Sequence, residues 1–458
     1  MATQARLREQ LASVAPVGGG LALVGLAAYV VLALAGHTLP ARDYAAAASM
    51  FLLTAIVGPG VFAAVEQQTN HEVSARLAAG VDPVPAVRAA TMITAGLAGI
   101  MSIAVLALGP VLVPRVFAGH TALLVATVLA VLGAAAAYLL RGVFAGQRRF
   151  RWYGVSLAAE GLARLLPCVA LVLLGWASAD RFGFVFALGC GVAAAVTLPA
   201  LRRRGAQRPE RAGEPVRLRP TQRAGEPVRL GPLAGAVGLL AGASGLTLLV
   251  TNLSPVVLTS RLGAEHADAE LAASFVSLFL LARIPLFLFA PVQAFLLPSL
   301  TAAAGRGDLA AVRGGVRAVL LAVAAVGLPG VLAAWLLGPW ASRVLFDAPI
   351  ELPRLVAGLL GVSTVAMMVA AILQPALVAL GRNRAAMLAW AVSSALFVGL
   401  LFAPVAPLTA AVTAQLVAPT LVCLLMLVAL RQELRSRAAA RSAAQPGQPF
   451  EPTVTNSL

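Results

Sequence analysis

Long stretches almost free of charge alternate with short polar segments along this chain. A helix needs about 20 apolar residues to cross a bilayer core of about 30 Å, and these stretches do not alternate like the strands of a membrane barrel. The pattern therefore predicts an all-α polytopic membrane protein of about twelve transmembrane helices. The predicted spans lie near residues 14–36, 44–65, 89–112, 120–140, 154–177, 182–201, 231–259, 271–299, 318–339, 355–380, 385–402 and 408–430.

The arginines predict how these spans are oriented. All 34 basic residues are arginine. If the N-terminus is cytoplasmic, 26 of them fall in cytoplasmic segments, six in outer segments and two within spans. Basic residues near span ends favour the cytoplasmic side, so we expect both termini in the cytoplasm.

Composition narrows the class of function. The chain is 60% hydrophobic and 11% charged, whereas a soluble domain carries roughly a quarter charged residues. The net charge of +16 follows from the topology and does not indicate nucleic-acid binding. The three cysteines show no disulfide or metal-ligand spacing, and no motif for catalysis is present. We therefore predict a non-enzymatic protein with no catalytic residue, metal or cofactor.

A polar segment divides the chain into two halves. We predict a six-helix lobe over 1–201, a disordered basic cytoplasmic linker over 202–230, a second six-helix lobe over 231–430 and a disordered cytoplasmic tail over 431–458. The linker contains Arg-Ala-Gly-Glu-Pro-Val-Arg-Leu twice, at 211–218 and 223–230. An even number of spans in each half favours a parallel pseudo-two-fold repeat. Weak matches support one: Pro59 with Pro285 and Gln67 with Gln293 at an offset of 226, and Gly146 with Gly381 and Arg149 with Arg384 at an offset of 235.

Three ionisable residues are predicted deep within spans. Glu160 lies roughly 10 Å and Arg164 roughly 16 Å from the cytoplasmic start of the fifth span, at i and i+4 on one helical face. Arg283 falls near the midplane of the eighth span, in the other half. Charged groups at this depth are costly, so they point to a partner or to a cavity.

Two interpretations of these charges remain open. In the first, Glu160 and Arg164 form a structural ion pair, and Arg283 binds backbone carbonyls freed by Pro285. In the second, Arg164 and Arg283 face one central cavity, one from each half. Guanidinium binds phosphate bidentately and stays charged when desolvated, so such a cavity would suit a phosphate or diphosphate group.

Other polar residues mark an entrance and helix bends. Glu66 and Gln67 end the second span near its cytoplasmic mouth, so they are candidates for an interfacial helix end or a headgroup entrance, together with Gln293 in the second half. Asn252 and Gln374 accompany prolines in spans seven and ten, where freed backbone groups need partners. Both are added as cavity candidates.

The layout resembles the polysaccharide-unit flippases of the multidrug/oligosaccharidyl-lipid/polysaccharide exporter superfamily over residues 10 to 430. The resemblance is one of pattern, and these segments contribute to it: Glu66-Gln-Gln with Arg76 and Gly80, Leu140-Arg-Gly-Val-Phe-Ala-Gly-Gln-Arg-Arg-Phe150 with Tyr153, and Arg283-Ile-Pro285 through Pro291-Val-Gln293 and Pro298. It implies two lobes that alternate between inward-open and outward-open forms around a central cavity. One departure is that the first span has no acidic residue, whereas cation-coupled drug extruders of the superfamily commonly have one there.

The resemblance implies a flippase for a polyprenyl-diphosphate-linked glycan intermediate of envelope polysaccharide synthesis, in the cytoplasmic membrane of a bacterium. Its partners would be that lipid-linked substrate, membrane lipids and a polymerase or glycosyltransferases, around a monomeric transporter unit. Three alternatives remain: a drug or metabolite extruder of the same fold, a major-facilitator transporter, and a non-transporting scaffold for glycan assembly.

Overall fold

A computed structural model describes residues 2–202, 230–263, 265–286 and 309–444, with side chains for 16–201, 230–263, 265–286 and 313–437. These residues form thirteen α-helices and no strand. Twelve of the helices are long and apolar enough to cross a membrane, which confirms the predicted all-α architecture and span count. The chain is a multi-pass membrane protein.

One short helix, α4, lies between the third and fourth spans. The bounds of the helices are α1 Ala2–Thr38, α2 Ala41–Ala78, α3 Val84–Ala107, α4 Gly109–Arg115, α5 Thr121–Gly146, α6 Phe150–Leu173, α7 Ala179–Arg202, α8 Leu230–Arg261, α9 His266–Ala282, α10 Leu309–Phe346, α11 Arg354–Ala379, α12 Asn383–Leu401 and α13 Pro407–Ala444.

Several helices continue beyond the predicted span boundaries. Helix α2 runs to Ala78, 13 residues past the predicted end at 65, because its polar last turns pack within the protein, where Gln68 and Glu72 are buried. Helix α13 runs to Ala444, so the first part of the predicted disordered tail is helical. There Glu433 accepts a hydrogen bond from Arg437 at 2.7 Å and lies 3.7 Å from Arg382. Residues 203–229, most of the predicted linker, lie outside the described residues.

Helices α1 and α6 pack closely on each other in the N-terminal lobe. Helix α1 lies along α6, where Gly154 faces the Pro16 backbone and Gly161 faces Leu23. A Cβ built on Gly154 would lie 2.6 Å from the Pro16 carbonyl oxygen, so only glycine allows this approach. Helix α5 packs between α2 and α7 and completes the lobe.

The C-terminal lobe repeats this arrangement. Helix α11 packs on α13 and α12 on α13, as α5 packs on α7 and α6 on α7. The turn after α5 and the turn after α11 carry the same backbone hydrogen bonds, with Arg149 N–H to Phe144 O and Arg382 N–H to Leu377 O at 2.8 Å each. Arg148 and Gly381 take the same left-handed conformation in the two turns. Arg148 therefore corresponds to Gly381, which gives an offset of 233 residues between the halves at this point. The predicted offset of 235 paired Gly146 with Gly381 by residue identity, whereas the geometry of the turns shows which positions are equivalent.

The two lobes meet mainly through α2, which packs against α8 and α9. The described polar contacts across this boundary involve hydroxyl groups. Ser277 donates to the Tyr44 hydroxyl at 3.2 Å, and the Tyr29 hydroxyl of α1 donates to the Leu280 carbonyl of α9 at 3.1 Å. None of the described ion pairs joins one lobe to the other.

Candidate functional site

A buried network of three charged side chains lies inside the N-terminal lobe. Glu160 of α6 accepts from Arg141 of α5 through Oε2 at 2.5 Å and from Arg164 of α6 through Oε1 at 2.8 Å. All three residues are at most 9% exposed. The i, i+4 spacing of Glu160 and Arg164 is the one predicted from the sequence, and the structural ion pair between them is present.

The surroundings of the network satisfy much of the remaining hydrogen-bonding capacity of the arginines. Arg141 Nε donates to Ser156 Oγ at 3.1 Å, and its guanidinium lies 5.3 Å from the Tyr138 ring centre. Arg164 Nε donates to the Phe186 carbonyl of α7 at 3.2 Å, with its guanidinium 4.1 Å from the Phe186 ring centre. The network therefore joins α5, α6 and α7, and it carries a net charge of +1.

Arg141 is a residue that the sequence prediction assigned wrongly. The predicted fourth span ends at 140, which places Arg141 among loop arginines. In the structure α5 continues to Gly146, and Arg141 is buried one turn before the helix ends. The apolar continuation Gly142-Val-Phe-Ala-Gly146 was the available signal, since it extends the span past the arginine.

Arg283 is buried at the contact between the two lobes. It follows the last residue of α9, is 4% exposed, and has its guanidinium 4.7 Å from the Phe279 ring centre. Tyr29 of α1 lies close enough to interact with it electrostatically. Its two terminal nitrogens, Nη1 and Nη2, find no hydrogen-bond acceptor among the described residues. A buried guanidinium with two unsatisfied donors is costly, so this position suits an anionic ligand.

The two candidate arginines have different described neighbours. Arg164 contacts Glu160 and helix α7, whereas Arg283 lies over the Phe279 ring, three residues after the Leu280 carbonyl that accepts from Tyr29. The register of α1 on α6, with Pro16 at Gly154 and Leu23 at Gly161, places Arg164 about one turn from the level of Tyr29. The two arginines thus lie at similar depth, and a cavity shared by them stays a prediction.

The predicted entrance residues have unequal environments. Glu66 is partly buried and accepts a hydrogen bond from the Tyr153 hydroxyl of α6 at 2.6 Å, whereas Gln67 is exposed. The α2 backbone at Glu66 also packs on Gly142 of α5, the neighbour of Arg141. Gln293 lies outside the described residues.

The two amide candidates bond within the C-terminal lobe. Asn252 Nδ2 donates to the Leu248 carbonyl, one turn back in α8, at 3.0 Å. Gln374 Oε1 of α11 accepts from the Trp390 indole nitrogen of α12 at 3.0 Å. Both therefore have partners in the protein, and their predicted exposure to a cavity stays a prediction.

The sequence was compared with protein families and with known proteins. No protein-family model matches the chain. Two relatives from Mycobacterium tuberculosis (strain ATCC 25618 / H37Rv) are 27% identical: the uncharacterized protein Rv1510 over 414 residues, 89% of each chain, and the uncharacterized protein Rv3630 over 394 residues, 82% of each chain. These relatives show that similar chains of nearly full length occur in mycobacteria.

Solved structures of MATE transporters share the architecture. An inward-facing multidrug resistance MATE family transporter of the MOP superfamily has a TM-score of 0.64, 12% identity, and coverage of 92% of this chain and 96% of its own. An outward-facing one has a TM-score of 0.61, 12% identity, and coverage of 94% and 96%. The eukaryotic MATE transporter AtDTX14 has a TM-score of 0.62, 15% identity, and coverage of 96% and 99%. The chain therefore has the MATE fold of two six-helix lobes, as predicted.

Proposed function

We propose that this protein is an alternating-access transporter that flips a polyprenyl-diphosphate-linked glycan intermediate across the cytoplasmic membrane of a bacterium for envelope polysaccharide synthesis. The observation that carries the proposal is Arg283. It is a buried cation at the contact between two lobes of a MATE fold, with both terminal nitrogens unsatisfied among the described residues. A diphosphate offers the oxygen pairs that a guanidinium binds.

The charge inside the bundle favours an anionic cargo. Arg141, Glu160 and Arg164 sum to +1, and Arg283 adds a second positive charge near the same depth. In a low-dielectric interior, these positive charges repel a cation and attract an anion. The polyprenyl tail would stay in the surrounding lipid, so the protein has to move only the charged headgroup and the glycan.

The contact between the lobes is suited to repeated opening. Hydroxyl groups form its described polar contacts, at Tyr29, Tyr44, Ser49, Thr259 and Ser277, and no described ion pair crosses it. Neutral hydrogen bonds of this kind contribute about 0.5–1.5 kcal/mol each, so they can be exchanged for other partners as the lobes move. Transport would need no covalent step.

Proteins made with the same fold give a second candidate. Two of the matching structures are described as multidrug resistance transporters, so an extruder of drugs or metabolites is the alternative. The positive charge of the interior and the lack of an acidic residue over 10–38 of α1 count against a cationic drug. Polymerases or glycosyltransferases remain proposed partners of the flippase.

The test replaces Arg283 and follows the precursor. In cells that depend on the variant, Arg283→Gln should accumulate lipid-linked intermediate in the inner leaflet, measured by mass spectrometry after labelling of outward-facing sugars. Loss of a charge-assisted hydrogen bond, at about 1.5–3 kcal/mol, predicts weaker binding of a polyprenyl diphosphate by roughly tenfold to a hundredfold. Arg343→Gln is the matched control, because Arg343 is exposed and pairs with Glu351.

Three results would decide between the candidates. A normal precursor distribution in folded Arg283→Gln contradicts the site. Thermal stabilisation of the purified protein by an organic cation and not by a polyprenyl diphosphate would favour the extruder. A defect on deletion of 203–229, with no defect in Arg283→Gln, would favour a scaffold.

A further inference from the structure

Three titratable residues meet at one end of the N-terminal lobe, on the side opposite the α5–α6 turn. His120 directly precedes α5, Asp43 lies in the first turn of α2, and Asp180 lies in the first turn of α7. His120 Nε2 is 3.1 Å from Asp43 Oδ1, and His120 Nδ1 is 2.9 Å from Asp180 Oδ1. Each ring nitrogen therefore faces one carboxylate from a different helix.

The number of protons on the ring decides how many of these contacts are favourable. A neutral imidazole has one N–H donor and one lone pair, so it can donate to only one of the two carboxylates. The other carboxylate then faces the lone pair. The doubly protonated ring donates to Asp43 and places a positive charge 2.9 Å from Asp180 Oδ1, so both contacts are then attractive. Asp180 Oδ1 is buried and accepts no hydrogen bond from the described residues, so the positive charge that a second proton places on the ring, 2.9 Å away, is what stabilises this carboxylate.

The neighbouring charged groups are occupied or exposed. Arg42 donates to the Ala118 carbonyl at 3.3 Å, and Arg181 donates to the Trp176 carbonyl at 2.8 Å. Arg115 of α4 is exposed. His37, at the same end of α1, forms a hydrogen bond with the Ala33 carbonyl of its own helix. Both aspartates also lie at helix N-termini, which stabilise negative charge.

We propose that Asp43, His120 and Asp180 form a proton-binding site that fastens the start of α2 to α5 and α7 when the imidazole holds its second proton. Helix α2 is also the helix that packs most broadly on the C-terminal lobe, through α8 and α9. The acidity at this end of the protein therefore sets how firmly α2 is held to its own lobe. The inference is independent of the cargo and of the proposed function.

Hydrogen–deuterium exchange of the full-length protein in lipid nanodiscs tests the site. Amides of residues 41–48 and 179–184 should be better protected at about pH 5.5 than at about pH 8, after correction for the intrinsic exchange rate, because only the doubly protonated ring attracts both carboxylates. Two partly exposed ion pairs, at about 0.2–1 kcal/mol each, predict a change of roughly twofold to thirtyfold. The sign is fixed: protection is present at low pH and is lost as pH rises.

Variants at one position separate the site from other effects of pH. His120→Gln should show the same low protection at both pH values, and His120→Arg, which stays charged, should show high protection at both. His37→Gln is the matched control and should keep the wild-type response. Equal protection of the wild type at both pH values, or a pH response retained in His120→Gln, would overturn the proposal. If His120→Gln does not fold, a pH response retained in His120→Arg would overturn it equally.

Discussion

The cores of the two lobes differ in charge at equivalent positions. With the offset of 233 defined by the turns after α5 and α11, Arg141 corresponds to Gln374, Glu160 to Ser393 and Arg164 to Phe397. Ions thus join α5 and α6 in the first lobe, whereas the Gln374 and Trp390 side chains form a neutral hydrogen bond between α11 and α12 in the second. A polar link thus joins the equivalent pair of helices in both lobes, and it is ionic in the first lobe and neutral in the second.

The closeness of helix packing also differs between α1 in the first lobe and α8 in the second. In the first lobe α1 lies so close to α6 that a Cβ on Gly154 would meet the Pro16 backbone. In the second lobe, α8 carries glycines such as Gly242 where an added Cβ would meet nothing within 4 Å among the described residues. The comparison teaches that the α1–α6 contact is tighter than the surroundings of Gly242 in α8, and that the N-terminal lobe holds the buried ions. The largest mutational costs should therefore fall in the N-terminal lobe.

The first prediction removes the shared carboxylate. Glu160→Gln leaves two buried arginines without a counterion, and breaking a buried ion pair in this way costs about 3–5 kcal/mol. We expect a large loss of thermal stability of the purified protein in detergent, measured by a fluorescence unfolding assay. The double variant Glu160→Gln/Arg164→Gln should lose less stability than the two single variants lose together. The difference should be about 1 kcal/mol or more, since the two residues interact directly. Strict additivity would contradict the network.

The second prediction compares one glycine from each lobe. Gly154→Ala places a Cβ 2.6 Å from the Pro16 carbonyl oxygen, so α1 has to shift, at a cost of about 1–3 kcal/mol. Gly242→Ala meets no described atom within 4 Å and replaces glycine in a helix, which should be neutral or stabilise by up to about 1 kcal/mol. The same unfolding assay measures both. Equal effects of the two substitutions would contradict the difference in packing between Gly154 and Gly242.

The third prediction concerns the neutral link. Gln374→Leu leaves the Trp390 indole N–H without its acceptor, at a cost of about 1–3 kcal/mol for the unsatisfied donor. The loss should stay below that of Glu160→Gln, because no charge is stranded. Gln374→Glu keeps an acceptor and serves as the control. A loss in Gln374→Leu as large as that in Glu160→Gln would show that charge is not what distinguishes the lobes.

Much of the fold could be predicted from the sequence, because lipid leaves a chain few choices. Spans of about 20 apolar residues have to be helices, so their number follows from hydropathy. The pairing of Glu160 with Arg164 was also predictable, since it depends only on helical periodicity. The burial of Arg283 in the eighth span follows from the same pattern.

The sequence by itself therefore determined the twelve helices, the two halves and the placement of Glu160, Arg164 and Arg283 within spans, where they are buried. The tertiary structure decided that Arg141 joins Glu160, that Arg148 and not Gly146 corresponds to Gly381, and that His120 lies between two aspartates. Each of these depends on where a helix ends or on which helix lies beside it. Hydropathy does not encode either, because a charge at the end of an apolar run looks the same whether it faces water or a partner on a neighbouring helix.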